Sequence, residues 1–67
     1  MNKQLLMSHI VKNDRNQQTL AKAMGISLSN LNAKINNNKT DFRQNEISFI
    51  KERYNLSEEE MNEIFFA

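Results

Sequence analysis

Ser29, Asn32, Ala33 and Asn36 stand at spacings i, i+3, i+4 and i+7, so a helix through them would present a stripe of small and amide side chains that carries no charge. That is chemistry for reading rather than for bond-breaking. Asparagine offers a donor and an acceptor side by side and can pair bidentately with adenine, and serine can meet several base edges. An ordinary solvated face would more often carry Glu and Lys. The groups that could do other chemistry are isolated. His9 is the sole histidine, with no cysteine in the chain and no carboxylate pair near it, so it reads as a helix-face residue and not as a metal ligand or general base. Glu58, Glu59 and Glu60 favour a helix start through its dipole. No cofactor site, metal site or catalytic set is expected, and the chain reads as a non-enzyme.

The stripe needs a helix over 28–36, with Leu31 and Ile35 four apart on the opposite, inward side. Ser27 precedes it as a cap, since its hydroxyl can accept from a free backbone N–H. Gly25, the only glycine, stops a preceding helix over 17–24 because it can take the left-handed conformation. The segment from Met24 to Ile35 therefore has the grammar of helix, tight turn, helix. In the 17–24 helix Leu20 and Met24 are four apart, Ala21 and Ala23 allow close approach, and Asn16 is its cap. Upstream, a helix over about 2–12 turns Leu6 and Ile10 inward, flanked by Leu5 and His9, and Asn13-Asp14-Arg15-Asn16 ends its periodicity. Downstream, Asn36-Asn37-Asn38-Lys39 stops the third helix, because asparagine tolerates the left-handed position best after glycine. Phe42 anchors the loop. A fourth helix over about 44–54 carries Ile47, Ile50 and Tyr54 with Phe49 beside them. Ser57 to Glu60 has the pattern of a capping box, which opens a fifth helix presenting Met61, Ile64 and Phe65. The architecture expected is all-α, one compact five-helix unit over 1–67.

The totals narrow the function classes. With 67 residues, no cysteine, no proline and one glycine, the chain has no disulfide framework and little turn chemistry for hairpins, which suits a reducing cytoplasm. Leu5-Leu6-Met7 is too short an apolar run for a signal peptide or a membrane span. The net charge of +1 conceals an asymmetry: Met1 to Arg43 holds seven Lys/Arg against two Asp, or +5, and Gln44 to Ala67 holds two Lys/Arg against six Glu, or −4. The basic part coincides with the glycine turn, and a modest basic end can meet a polyanion.

Gln17-Gln18-Thr19-Leu20-Ala21, Met24-Gly25-Ile26-Ser27, then Leu31 and Lys34-Ile35 resemble the helix-turn-helix of phage Cro and repressor DNA-binding domains. Phe42, Glu46-Ile47 and the ending Leu56-Ser57 with Ile64-Phe65-Phe66 extend the resemblance to the small Cro-like proteins of phages and mobile elements of Gram-positive bacteria. The resemblance implies a lambda-repressor-like fold with the third helix in the major groove and Leu28, Ser29, Asn32 and Ala33 facing bases. Leu28, three before Leu31, suits a core edge equally well. The same resemblance sets Gln17 on a phosphate and expects further phosphate contacts from Ser27, Lys34, Asn36, Lys39 and Arg43. The chain departs from the pattern in having Asn37 where glycine is common, Arg43 where Ser or Thr is common, and Lys34 where an apolar residue is common; Lys34 therefore reads either as a phosphate contact or as a solvated side chain.

Two adjacent aromatics on a helix cannot face the same way, so one of Phe65 and Phe66 is expected at an interface between copies. A dimer would set two reading helices about 34 Å apart on a roughly palindromic operator. The implied partners are double-stranded operator DNA, a second copy of the chain, and RNA polymerase, which the regulator would block or recruit; no membrane is implied. The alternative is a protein-interaction module, an antirepressor or repressor-binding partner, acting through the acidic fourth and fifth helices and Phe65-Phe66.

Overall fold

In the computed structural model, which describes residues 1–36 and 42–66, the helices begin where a side chain can take over an orphan backbone N–H. Asn2 accepts from the Leu5 N–H at 3.1 Å and opens α1 (Lys3–Asp14). Asn16 accepts from the Thr19 N–H at 2.9 Å and opens α2 (Gln17–Met24). Ser27 Oγ accepts from the Asn30 N–H at 3.0 Å and opens α3 (Leu28–Asn36). In α4 (Gln44–Tyr54) the cap is Arg43, whose side chain has nothing to accept with; Glu46 Oε1 instead accepts the Arg43 N–H at 2.7 Å. Ser57 and Glu60 close the expected capping box over α5 (Glu58–Met61), which continues through Asn62–Phe66 in wider π-helical turns.

Two of the turns are built alike. After α2, the Gly25 N–H reaches Lys22 O at 3.2 Å and the Ile26 N–H reaches Ala21 O at 3.0 Å, with Gly25 at φ +74°. This is the Schellman pairing, and it satisfies two carbonyls that the helix end would otherwise leave orphaned. After α4, Asn55 does the same at φ +52°, and the following Leu56 drops into the core.

The fold is all-α: five helices, with no strand among the described residues. Leu6 and Ile10 from α1, Leu20 and Ala21 from α2, Leu31 and Ile35 from α3, and Ile50 and Tyr54 from α4 meet Leu56, Met61 and Ile64 in one core. Six of these side chains (Leu6, Ile10, Leu20, Leu31, Ile50 and Ile64) are fully buried, each removal from water being worth about 2 kcal/mol. The Asn2 N–H donates to Ile64 O at 2.6 Å and ties the start of α1 to the last helical turns. No described helix is long and apolar enough to cross a membrane.

Two expectations change, and a third is resolved. The first helix runs to Asp14 instead of Lys12, because Asn13 Nδ2 donates back to His9 O at 2.8 Å and the buried Asp14 carboxylate finds partners in Arg53 and Tyr54 of α4. Those polar residues continue the helix rather than end it. Ala23 is exposed, so the close approach is made by Ala21 alone. Of the two terminal aromatics, Phe65 packs against the core and edge-on to Phe42, centroids 5.7 Å apart, while Phe66 is 65% exposed. Phe65 is thus the aromatic that faces inward, and Phe66 is the one left at the surface.

Candidate nucleic-acid interface

The turn at Gly25 and the Ser27 cap set the direction of α3, and two inward contacts set its rotation. Leu31 is fully buried and Ile35 nearly so. Lys34 lies on the same side, 8% exposed, with Nζ 3.1 Å from Glu46 Oε1. That oxygen also accepts the Arg43 N–H, so one carboxylate holds α3 and closes the first turn of α4.

With this rotation fixed, Leu28, Ser29, Asn30 and Asn36 are exposed and Asn32 and Ala33 are half-buried. Asn36 Nδ2 donates to Asn32 O at 3.0 Å and to Asn32 Oδ1 at 3.3 Å, which ties the two amides together along the helix. Leu28 resolves toward the outside: at 41% exposure it is not a core residue.

Beside this face runs a groove of about 460 Å³ between the end of α1, the start of α2 and α3. It is lined by Met7, Val11, Arg15, Asn16, Gln17, Gln18, Leu28 and Asn32. The structure thus brings Gln17, Leu28 and Asn32 to one surface. Gln17 donates from Nε2 to the Met7 sulfur at 3.3 Å, and its buried Oε1 has no hydrogen-bond partner among the described residues. The α2 N-terminus adjoins the groove, and the free N–H groups of a first turn favour an anion. Ser27 is exposed while its oxygen caps α3, and Arg43 is exposed at the head of α4. Lys39 lies outside the described residues.

Lys34 requires correction as a phosphate contact. Position 34 follows Leu31 by three, on the buried side, so the stem packs inward and the ammonium meets Glu46. The signal was present in the sequence, because Leu31 and position 34 stand three apart on one side of the helix.

Sequence reasoning also passed over three features. Val11 is 57% exposed on the groove wall, one residue after the fully buried Ile10. Arg15 follows α1 at φ +72°, ψ −39°, a backbone conformation costly for a residue with a Cβ, and its side chain lines the groove. Asp14, 8% exposed, accepts from Arg53 Nε at 3.1 Å, from Arg53 Nη2 at 2.6 Å and from the Tyr54 hydroxyl at 2.5 Å. The Arg53 guanidinium, helped by Tyr54 and opposed by burial, holds the Asp14 carboxyl below the usual carboxylate range. Burial, then the neighbouring carboxylate, raises Tyr54, so its hydroxyl stays a donor. Nothing in the sequence relates residues 14 and 53; only the fold does.

No group of three or more His, Cys, Asp or Glu side chains among the described residues is placed to hold a metal. No family model, curated protein or solved structure matches the chain.

Proposed function

We propose that the protein is a sequence-specific DNA-binding transcriptional regulator of the Cro/repressor helix-turn-helix kind, acting in the cytoplasm with α3 in the major groove. The observation that carries this reading is the uncharged outward face of α3, set after a glycine-capped turn and beside the N-terminus of α2. Leu28, Ser29, Asn32 and Ala33 face the bases, and Gln17, Ser27, Asn36 and Arg43 meet phosphates. Phosphate contacts place the protein and base contacts make it specific. A dimer on a palindromic site multiplies the limited interface of one small module.

The test is selection from random duplex DNA with the purified chain, followed by a salt titration of the winning site. Affinity should fall linearly on a log–log plot, with a slope near −0.9 for each phosphate neutralised. Asn32→Ala should cost about 1–3 kcal/mol of discrimination between the selected site and random DNA, whereas Arg43→Ala should weaken both alike. An unchanged preferred sequence with Asn32→Ala would remove Asn32 from the reading face.

A second reading is supported by the exposed Phe66, which borders a cleft of about 290 Å³ together with Met1, Phe42, Ile47 and Phe65. In that case the fold serves as a protein-interaction module for another regulator. It predicts no salt-sensitive binding to any duplex.

A further inference from the structure

We infer that the base pairs read by α3 are A·T pairs, recognised through thymine 5-methyl groups and adenine edges, with no guanine contact made from this helix. The inference rests on the DNA-binding reading above and adds to it the chemistry of the operator.

The first observation is where the cation of α3 goes. Arg or Lys, bidentate to guanine O6 and N7, is the commonest specific contact in the major groove. The one cationic residue of α3 is Lys34, and it is 8% exposed with its ammonium 3.1 Å from Glu46, itself only 14% exposed. To reach a base, Lys34 would have to leave the core side and strand a largely buried carboxylate. The face that remains (Leu28, Ser29, Asn30, Asn32, Ala33 and Asn36) has no cation on it.

The second observation is what stands in its place. Leu28, at the head of α3, is 41% exposed, and it shares the groove with Val11, 57% exposed, and with Met7. The thymine 5-methyl is the apolar group that the major groove offers. Next to this patch, Asn32 supplies the donor and acceptor that match adenine N7 and N6. An apolar side chain and an amide on neighbouring turns are complementary to A·T pairs.

Arg15 is the exposed cation that lines the same groove, and the test must separate it from α3. It stands at the α1–α2 junction, two residues before Gln17, on the side of the anion-favouring helix start; its role is therefore with the backbone.

The experiment uses the whole chain: selection from random duplexes, then measurement of the selected site with single dT→dU replacements, which delete one methyl group each. At least one replacement in each half-site should weaken binding about fourfold, the transfer value of one buried methylene-sized group, and Leu28→Ala should abolish that sensitivity. Leu28 is exposed, so the variant keeps its core. Leu28→Arg should move the selected base at the matching position to guanine. A half-site holding an obligatory G·C pair, with affinity cut about tenfold or more by 7-deazaguanine in the wild type and in Arg15→Gln alike, would overturn the inference. So would indifference to every dT→dU replacement. Absence of salt-sensitive binding to any duplex, selected or random, would instead refute the DNA-binding reading, and the inference with it.

Discussion

The Asp14 clamp allows the sharpest quantitative test. Its carboxylate is nearly buried and takes three donors, two from Arg53 and one from Tyr54, so α1 and α4 are joined through one charged group. Tyr54→Phe removes one hydrogen bond to an ion and leaves Asp14 with Arg53, which should cost about 1.5 kcal/mol. Asp14→Asn removes the charge and disrupts both partners. Breaking a buried pair typically costs about 3–5 kcal/mol, but the Arg53 side chain is 32% exposed and can rehydrate, so about 2–3 kcal/mol is expected. A domain of this size has a total margin on the order of 3–10 kcal/mol, so either change is large. At about 4–8 °C per kcal/mol, Tyr54→Phe should lower the Tm by about 6–12 °C.

The pH dependence gives an independent check. Asp14 is held below its unfolded value, so its contribution is fully present above the unfolded carboxylate pKa, about 3.9, and is lost as the pH falls through the lower folded value. The gap in unfolding free energy between wild type and Asp14→Asn, from urea titrations, should be constant above about pH 5 and narrow toward pH 2. A gap that stayed parallel over that range, or a change of less than about 0.5 kcal/mol for Tyr54→Phe, would refute the clamp as a source of stability.

Three further outcomes are expected. A Cβ at Gly25 meets nothing within 4 Å, so Gly25→Ala should cost only backbone strain at φ +74°, about 1–2 kcal/mol by thermal melting, and Gly25→Asn should cost less. Arg15→Gly should melt several degrees above Arg15→Ala, since both remove the charge but only glycine accepts φ +72°; on the proposed DNA-binding reading, both should reduce the salt slope by about one. Lys34→Met should cost about 2 kcal/mol by leaving Glu46 without its ammonium, and adding Glu46→Gln should recover most of that in a double-mutant cycle.

What could be read in the sequence was what is decided locally. α2, α3 and α4 fall at 17–24, 28–36 and 44–54 as their caps and apolar spacing require, and the Ser57–Glu60 box sits where its pattern is written. Each of those features is fixed by residues within a turn or two. The exposed face of α3 follows from the same arithmetic, because Leu31 and Ile35 leave only one other side. Asp14 shows the opposite case. Its polar neighbours look like a helix stop, and the partners that turn it into buried structure lie 39 and 40 residues away. Arg15 is harder still: arginine gives no hint of positive φ, and the conformation is imposed by an α1 that runs on to Asp14 and an α2 that must start at Gln17.

Lys34 links these two kinds of information to the function proposed for the chain. An apolar residue at position 34 would pack as well, and a buried ion pair is a weak source of stability. What it adds is geometry. Glu46 is itself held by the Arg43 N–H at the head of α4, so the ion pair adds a tether between α3 and α4 to the rotation that Leu31 and Ile35 set. A reading helix must hold its side chains to within a fraction of an ångström of the base edges. On the proposed reading, the burial of Lys34 leaves Leu28 and Asn32 in the position where an arginine or lysine would otherwise compete for the bases.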